Sequence, residues 1–262
     1  MTNLLSRLAI AVAGLPIVIG AAYVGGWFLT IVVLVAALVA LHEFYSLAFG
    51  LRPLVLAGYG GAAGAILGAQ LGDATWMAGG FLVVFPLSFL FAAIAETRQS
   101  TTVAIATTVF GTAWIGLGLA QLVLLRRLGE DGSDAILAVL FTVFATDTFA
   151  YVGGRLAGRH RMSPVMSPGK TWEGFTVGAL AGIGVAFLVL YESTWSGAES
   201  LVFGAVVVLA ATIGDLFESL LKRDLGAKDT GRILLGHGGV LDRIDSLLFA
   251  GPAGLYILLA LS

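Results

Sequence analysis

The 262-residue chain has no cysteine, six prolines and little charge, with Asp, Glu, Lys and Arg making up 11% of it. Without thiols there are no disulfides and no thiolate metal sites. The three histidines, His42, His160 and His237, are too scattered to suggest zinc spacing. His42-Glu43 opens like the HExxH zinc motif, but Ser46 stands where the second histidine is required, so that reading fails. Fourteen basic against 16 acidic residues give no general attraction for nucleic acid, and an electrostatic partner must be met by a local cluster. The remainder is largely hydrocarbon. A hydrophobic content of 58% and a mean hydropathy of +0.99 lie far outside ordinary soluble usage and predict an integral membrane protein.

A helix needs about 20 apolar residues to cross the hydrocarbon core. Nine such stretches are placed at roughly 8–24, 27–48, 53–70, 76–95, 102–125, 134–152, 174–191, 199–218 and 246–261. The expected fold is an all-α polytopic membrane helix bundle of about nine transmembrane helices, because lipid offers no water to backbone groups and strand alternation with even turns is absent. Residues 8–24 resemble a signal-peptide core, but a second apolar run follows at once without a clear small-x-small cleavage site, so they are read as a retained first span. Residues 1–125 form an expected N-terminal transmembrane bundle of five spans. Residues 126–262 form an expected C-terminal catalytic membrane region of four spans, with cytoplasmic loops 153–173 and 219–245.

Orientation follows from basic residues in alternate loops. With the N-terminus in the cytoplasm and the C-terminus outside, the inner side carries Arg7, Arg52, Arg98, Arg155, Arg159, Arg161, Lys170, Lys222, Arg223, Lys228, Arg232 and Arg243, twelve of the 14 basic residues. Only Arg126 and Arg127 fall outside, and Trp27, Trp76 and Trp195 lie near the outer breaks. The expected location is the cytoplasmic membrane, with the active site facing the cytoplasm. Gly60, Gly64, Gly68 and Gly174, Gly178, Gly182 each lie along one helix face and predict close helix packing within or between subunits, which leaves a homodimer open.

Two polar islands interrupt the apolar chain, at residues 147–175 and 214–246. By this topology both face the cytoplasm and are expected to form one site. Asp147 and Asp215 end spans six and eight, where a carboxylate at the membrane centre costs about 2.5–3.5 kcal/mol on insertion scales and needs compensation. If the eighth span continues as helix, Asp215, Glu218, Ser219 and Lys222 share one face, offering either a cation ligand, a hydroxyl and an ammonium, or a ladder of ion pairs that solvates the helix end. Asp242 and Asp245 precede the last span, where an Asp also serves as a helix cap. Before them, His237-Gly238-Gly239 has the composition that lets backbone amides approach phosphate. Carboxylates with Lys, Arg, small hydroxyls and glycines, and no Ser-His-Asp order, suit Mg²⁺-assisted phosphoryl or nucleotidyl transfer. Gly169-Lys170-Thr171 ends like a Walker A loop, but Pro164 occupies the position of its first glycine and no strand is expected before it. Lys170 remains a candidate phosphate ligand as a point charge.

Ser219, Lys222-Arg223, Lys228-Asp229, His237-Gly238-Gly239, Asp242-Arg243 and Asp245 together resemble the signature of the phosphatidate cytidylyltransferases, the CDP-diacylglycerol synthases. Asp147, Ala150-Tyr151, Gly154-Arg155, Ser167-Pro168, Lys170-Thr171-Trp172-Glu173 and Gly174 look like the same family's upstream block. The likeness covers most of 147–250, and Leu235 departs from the family's Pro or Gly two residues before the histidine. The resemblance implies transfer of CMP from CTP to phosphatidic acid, giving CDP-diacylglycerol and pyrophosphate with Mg²⁺. On it, Asp215 and Asp242 are expected to bind metal with Asp245, and Asp147 to assist. Lys222, Arg223, Lys228 and Arg243 would hold triphosphate and lipid phosphate, beside Ser167, Lys170 and Ser219. Asp229 joins the catalytic set and Tyr151 and Arg155 the substrate-binding set, while His237, Gly238 and Gly239 would shape a phosphate loop. A second cation stays open. The partners implied are the two substrates and the bilayer, with no nucleic acid. The alternatives are a cytidylyltransferase for an ether lipid or polyprenyl phosphate, and an ion-coupled secondary transporter.

Overall fold

The computed structural model describes residues 14–94, 100–129, 131–191, 195–231 and 238–261. The expectations for residues 8–13, Arg7, Arg98, Arg232, Leu235 and His237 therefore lie outside the described residues. The elements are α1 (Gly14–Val24), α2 (Gly26–Leu47), α3 (Val55–Leu71), α4 (Ala74–Leu82), α5 (Val84–Ile94), α6 (Thr101–Gly111), α7 (Gly118–Arg127), α8 (Gly132–Ala157), β1 (Arg161–Ser163), β2 (Ser167–Thr171), α9 (Trp172–Leu190), α10 (Gly197–Asp224), α11 (Leu241–Ile244) and α12 (Leu247–Leu261). A π-helical turn, Thr112–Leu117, joins α6 to α7. Among the described residues, seven helical stretches are long and apolar enough to cross a membrane, and α1 and α3 are shorter apolar helices. The architecture is an all-α polytopic membrane bundle.

The chain forms two compact units. The first comprises 1–124 and 227–244, the second 125–226 and 245–262. In the first unit, the α3 glycine stripe meets α4 and α5. A Cβ at Gly64 would collide with the Gly80 backbone, one at Gly68 with Trp76, and one at Gly60 with Leu87. Tyr45 of α2 is buried and donates to Thr108 O at 2.8 Å, which gives its hydroxyl a partner inside an apolar unit.

In the second unit, the glycines of α9 allow it to lie against α8. A Cβ at Gly174 would sit 2.6 Å from Ala150 O, and one at Gly178 2.5 Å from Thr146 O. Both stripes thus serve packing within the chain. The helix ends are locally encoded. Ser196 and Glu199 make a reciprocal capping box at the start of α10, whose last turn carries Lys222 and Arg223 where cations suit the helix dipole. Thr171 caps α9 by accepting from Gly174 N.

The first polar island departs from the expected loop in two ways. Helix α8 runs on to Ala157, so residues 153–157 are helical. Strands β1 and β2 form an antiparallel hairpin pairing Arg161 with Thr171 and Ser163 with Ser167, so a strand does precede Gly169-Lys170-Thr171. Pro164 lies in the turn between the strands. The hairpin is only three and five residues long, too short to show alternation in the sequence.

Replacing Gly178 by Leu is expected to lower stability in detergent by about 1–3 kcal/mol through overpacking. Gly184→Leu, on the same helix where an added Cβ meets nothing within 4 Å, should leave the thermal midpoint near wild type.

Candidate functional site

The second unit contains a cavity of about 670 Å³. Because α8 stays helical past residue 152, Asp147, Tyr151 and Arg155 recur every four residues and line one wall. Ser167 and Lys170 of the hairpin line another, and Thr212 and Asp215 of α10 a third. Six of the residues expected at a site from sequence therefore share one chamber. Lys170 Nζ lies 2.5 Å from Asp215 Oδ2. Arg155 donates to the Tyr151 hydroxyl at 3.0 Å, one helical turn away.

The hairpin that carries Lys170 is held at both ends. At its base, Glu173 accepts from Arg159 N at 3.1 Å and His160 N at 3.2 Å, and its Oε1 lies 2.6 Å from His160 Nδ1. At its turn, Arg223 Nε donates to Met166 O at 3.4 Å. Arg161 also donates to Pro168 O across the hairpin. Lys170 therefore projects from an anchored strand rather than from a loose loop.

Helix α10 continues to Asp224, so the predicted face exists. Ser219 Oγ donates to Asp215 Oδ1 at 3.5 Å, and Lys222 pairs with Glu218 Oε2 at 2.7 Å. Glu218 is 1% exposed. Part of the face is thus the ion-pair ladder, while Asp215 takes its cation from the hairpin. A Cβ at Gly214 would lie 2.7 Å from Asp245 O, so that glycine admits the Asp245 backbone one residue before Asp215. Asp147 is repelled by Asp245 and Asp215 and attracted by Lys170, while Lys222 attracts Asp245.

This excess of carboxylate over ammonium is chemistry that Mg²⁺ can use with one or two carboxylates, waters and a substrate phosphate. Among the described residues, no three His, Asp or Glu side chains converge to form an all-protein metal cage.

In the first unit, Asp242 organises the second loop. Its Oδ2 accepts from Gly239 N at 2.6 Å, Thr230 N at 3.0 Å and Thr230 Oγ1 at 3.0 Å. Gly238 has φ +78, and a Cβ there would lie 2.6 Å from Asp242 Oδ2, so both backbone angle and space favour glycine. Lys228, Asp229 and Arg243 are exposed. Residues Asp215 and Asp245 belong to the second unit and Asp242 to the first.

Glu43 of α2, passed over in the failed zinc motif, is 2% exposed and bonded to this loop. Its signal was available: it is the sole acidic residue within the first five apolar stretches, and an ionisable group inside a span marks function or a strong local partner. Thr230 and the Glu173 clamp carried no comparable mark, since both depend on contacts remote in sequence.

Comparison with known proteins gives a consistent picture. The family model described as "Cytidylyltransferase family" matches residues 5–261. A phosphatidate cytidylyltransferase of Mycobacterium bovis is 35% identical over 251 residues, spanning 87% of this chain and 79% of the relative. Its namesake from Mycobacterium tuberculosis is 35% identical over 251 residues, spanning 87% of this chain and 74% of the relative. One from Staphylococcus haemolyticus is 40% identical over 146 residues, 55% of each chain.

Lys170→Met is expected to weaken pyrophosphate binding by about tenfold or more, the scale of one charge-assisted hydrogen bond. Titration calorimetry in detergent checks this, and equal affinity in both proteins would remove Lys170 from anion binding.

Proposed function

The chain belongs to the cytidylyltransferase family, and we propose that it transfers CMP from CTP to phosphatidic acid, releasing pyrophosphate and leaving CDP-diacylglycerol in the membrane. The observation carrying this reading is the second-unit chamber, whose walls hold Asp147, Tyr151, Arg155, Ser167 and Lys170 of the upstream block together with Asp215. The attacking group is a lipid phosphate oxygen, already anionic near neutral pH, so no activated serine is needed. It forms a bond to the α-phosphorus of CTP as the bond from that phosphorus to the oxygen bridging to the β-phosphate breaks. The electron pair leaves with pyrophosphate.

Two polyanions must be brought together in this reaction, and positioning with charge stabilisation supplies most of what an enzyme can contribute. Lys170 and Arg155 bind phosphate oxygens in the chamber, with Ser167 and Ser219 as neutral donors beside them and Tyr151 orienting Arg155. Lys222 and Arg223 add positive charge at the end of α10. In the second loop, Lys228 and Arg243 hold phosphate, with Asp229 in the same exposed segment. Asp242 fixes the Gly238-Gly239 backbone, and His237 belongs to that loop in sequence. Within the second unit, Asp215 or Asp245, assisted by Asp147, would hold Mg²⁺ together with waters and substrate oxygens; the family resemblance also assigns a metal-binding role to Asp242. The ion would supply charge neutralisation at the phosphates.

The proposed topology has nine spans, with α1 and α3 completing the seven long stretches, the N-terminus in the cytoplasm and the C-terminus outside. The chamber then faces the cytoplasm across the cell membrane. Contact of Glu43, near the C-terminal end of α2, with Val240 and Leu241 supports a common level for that helix end and the second loop. A site at this surface is accessible to a water-soluble nucleotide and to a substrate whose acyl chains remain in lipid.

Detergent-solubilised protein with labelled CTP, Mg²⁺ and phosphatidic acid should yield labelled CDP-diacylglycerol, and chelation of the divalent ion should stop it. Ether-lipid and polyprenyl phosphates serve as competing acceptors. Labelled product without any lipid, or pyrophosphate release unaffected by Asp242→Ala, defeats the assignment. Asp215→Asn should reduce kcat by about 10²-fold or more, as loss of a principal electrostatic group does, while its detergent melting curve stays near wild type.

A further inference from the structure

Glu43 presents a physical problem that the proposed reaction does not address. It lies in the last turns of α2, is 2% exposed, and stands where the negative end of the helix dipole opposes an anion. Its compensation comes entirely from one distant segment among its described hydrogen bonds. Val240 N donates to Oε1 at 3.0 Å and Leu241 N to Oε2 at 2.8 Å. Thr230 Oγ1 lies 3.4 Å from Oε2 and 3.0 Å from Asp242 Oδ2, so its single proton is shared between competing carboxylates. Together Glu43 and Asp242 engage the amides of Thr230, Gly239, Val240 and Leu241.

The steric record agrees with the hydrogen bonds. A Cβ at Gly231 would sit 2.6 Å from Glu43 Oε1, and one at Gly239 would collide with both Thr230 and Glu43. The glycines therefore let the loop backbone close directly onto this carboxylate. Aliphatic residues would pack α2 without cost, whereas a buried carboxylate must be matched by donors in definite places. The arrangement specifies one loop path.

We propose that Glu43 is a positioning residue for nucleotide binding: from the second span it fixes the backbone of 238–241, and through it the placement of the flanking signature residues Lys228, Asp242 and Arg243. Glu43 acts through the loop and touches no substrate. This inference rests on the reading of that loop as phosphate-binding. Glutamine has nearly the same size but only one acceptor oxygen, so it cannot receive both Val240 N and Leu241 N from opposite ends of its head group.

The test compares wild type with Glu43→Gln, using labelled CTP, Mg²⁺ and phosphatidic acid, with peptide-resolved amide hydrogen exchange on the same preparations. The KM for CTP should rise by about tenfold, the scale of one buried hydrogen bond to a charged group, while the KM for phosphatidic acid changes less than about twofold. Exchange should accelerate in peptides covering 238–244 and stay unchanged in those from α8 to α10. If Glu43→Gln does not fold, Thr230→Val, which removes only the shared hydroxyl, should shift the same KM and the same peptides to a smaller degree. A folded Glu43→Gln protein with the wild-type KM for CTP, or with exchange raised evenly along the chain, overturns the proposal, as does a folded Thr230→Val protein unchanged in both. A wild-type protein that makes no lipid product instead overturns the proposed reaction. The exchange comparison then still decides whether Glu43 orders the loop.

Discussion

A carboxylate withdrawn from water must be met by a cation or by donors aimed at it, and in a chain with 58% hydrophobic residues few groups are available to do so. The local structure around the acidic residues follows from this constraint. Asp215 meets Lys170 of a hairpin, Glu218 meets Lys222 one turn along its own helix, and Glu43 meets backbone amides. The first and the last tie a helix to a separate segment. A hydrophobic contact tolerates sliding, whereas these pairings select a register.

The glycines and the carboxylates work together. Close approach of α8 and α9 across Gly174 and Gly178 sets the base from which the hairpin springs, and the Glu173 clamp and the Arg223 bond hold its two ends. Lys170 then projects into the chamber from a backbone with few alternatives. The stiffness matters because a flexible ammonium loses side-chain entropy when it is immobilised. An anchored strand has already lost backbone freedom before any ligand arrives, so only the side chain is left to be ordered.

Much of this was legible in the amino-acid order. The apolar runs marked the helices, the glycines four apart marked close contacts, and the spacing of Asp147, Tyr151 and Arg155 marks one wall once the helix is known to continue. The extension of α8 to Ala157 was hidden because Gly153 and Gly154 read as a break, although close packing on α9 suits them to a helix. The hairpin was hidden by its length. Asp242 carries a signature position, yet its three hydrogen bonds to Thr230 and Gly239 could not be read from spacing, since they depend on how the loop folds back. Glu43 was visible as a lone acid in an apolar stretch, but its partners lie nearly the whole chain away.

That separation matters during synthesis. Glu43 enters the bilayer long before Val240, 197 positions later, leaves the ribosome. Throughout that interval the nascent helix carries an acid whose native donors do not yet exist, so other donors must stand in for them. The second loop can settle only once nearly the entire polypeptide has been made, which makes it among the last parts of the molecule to mature.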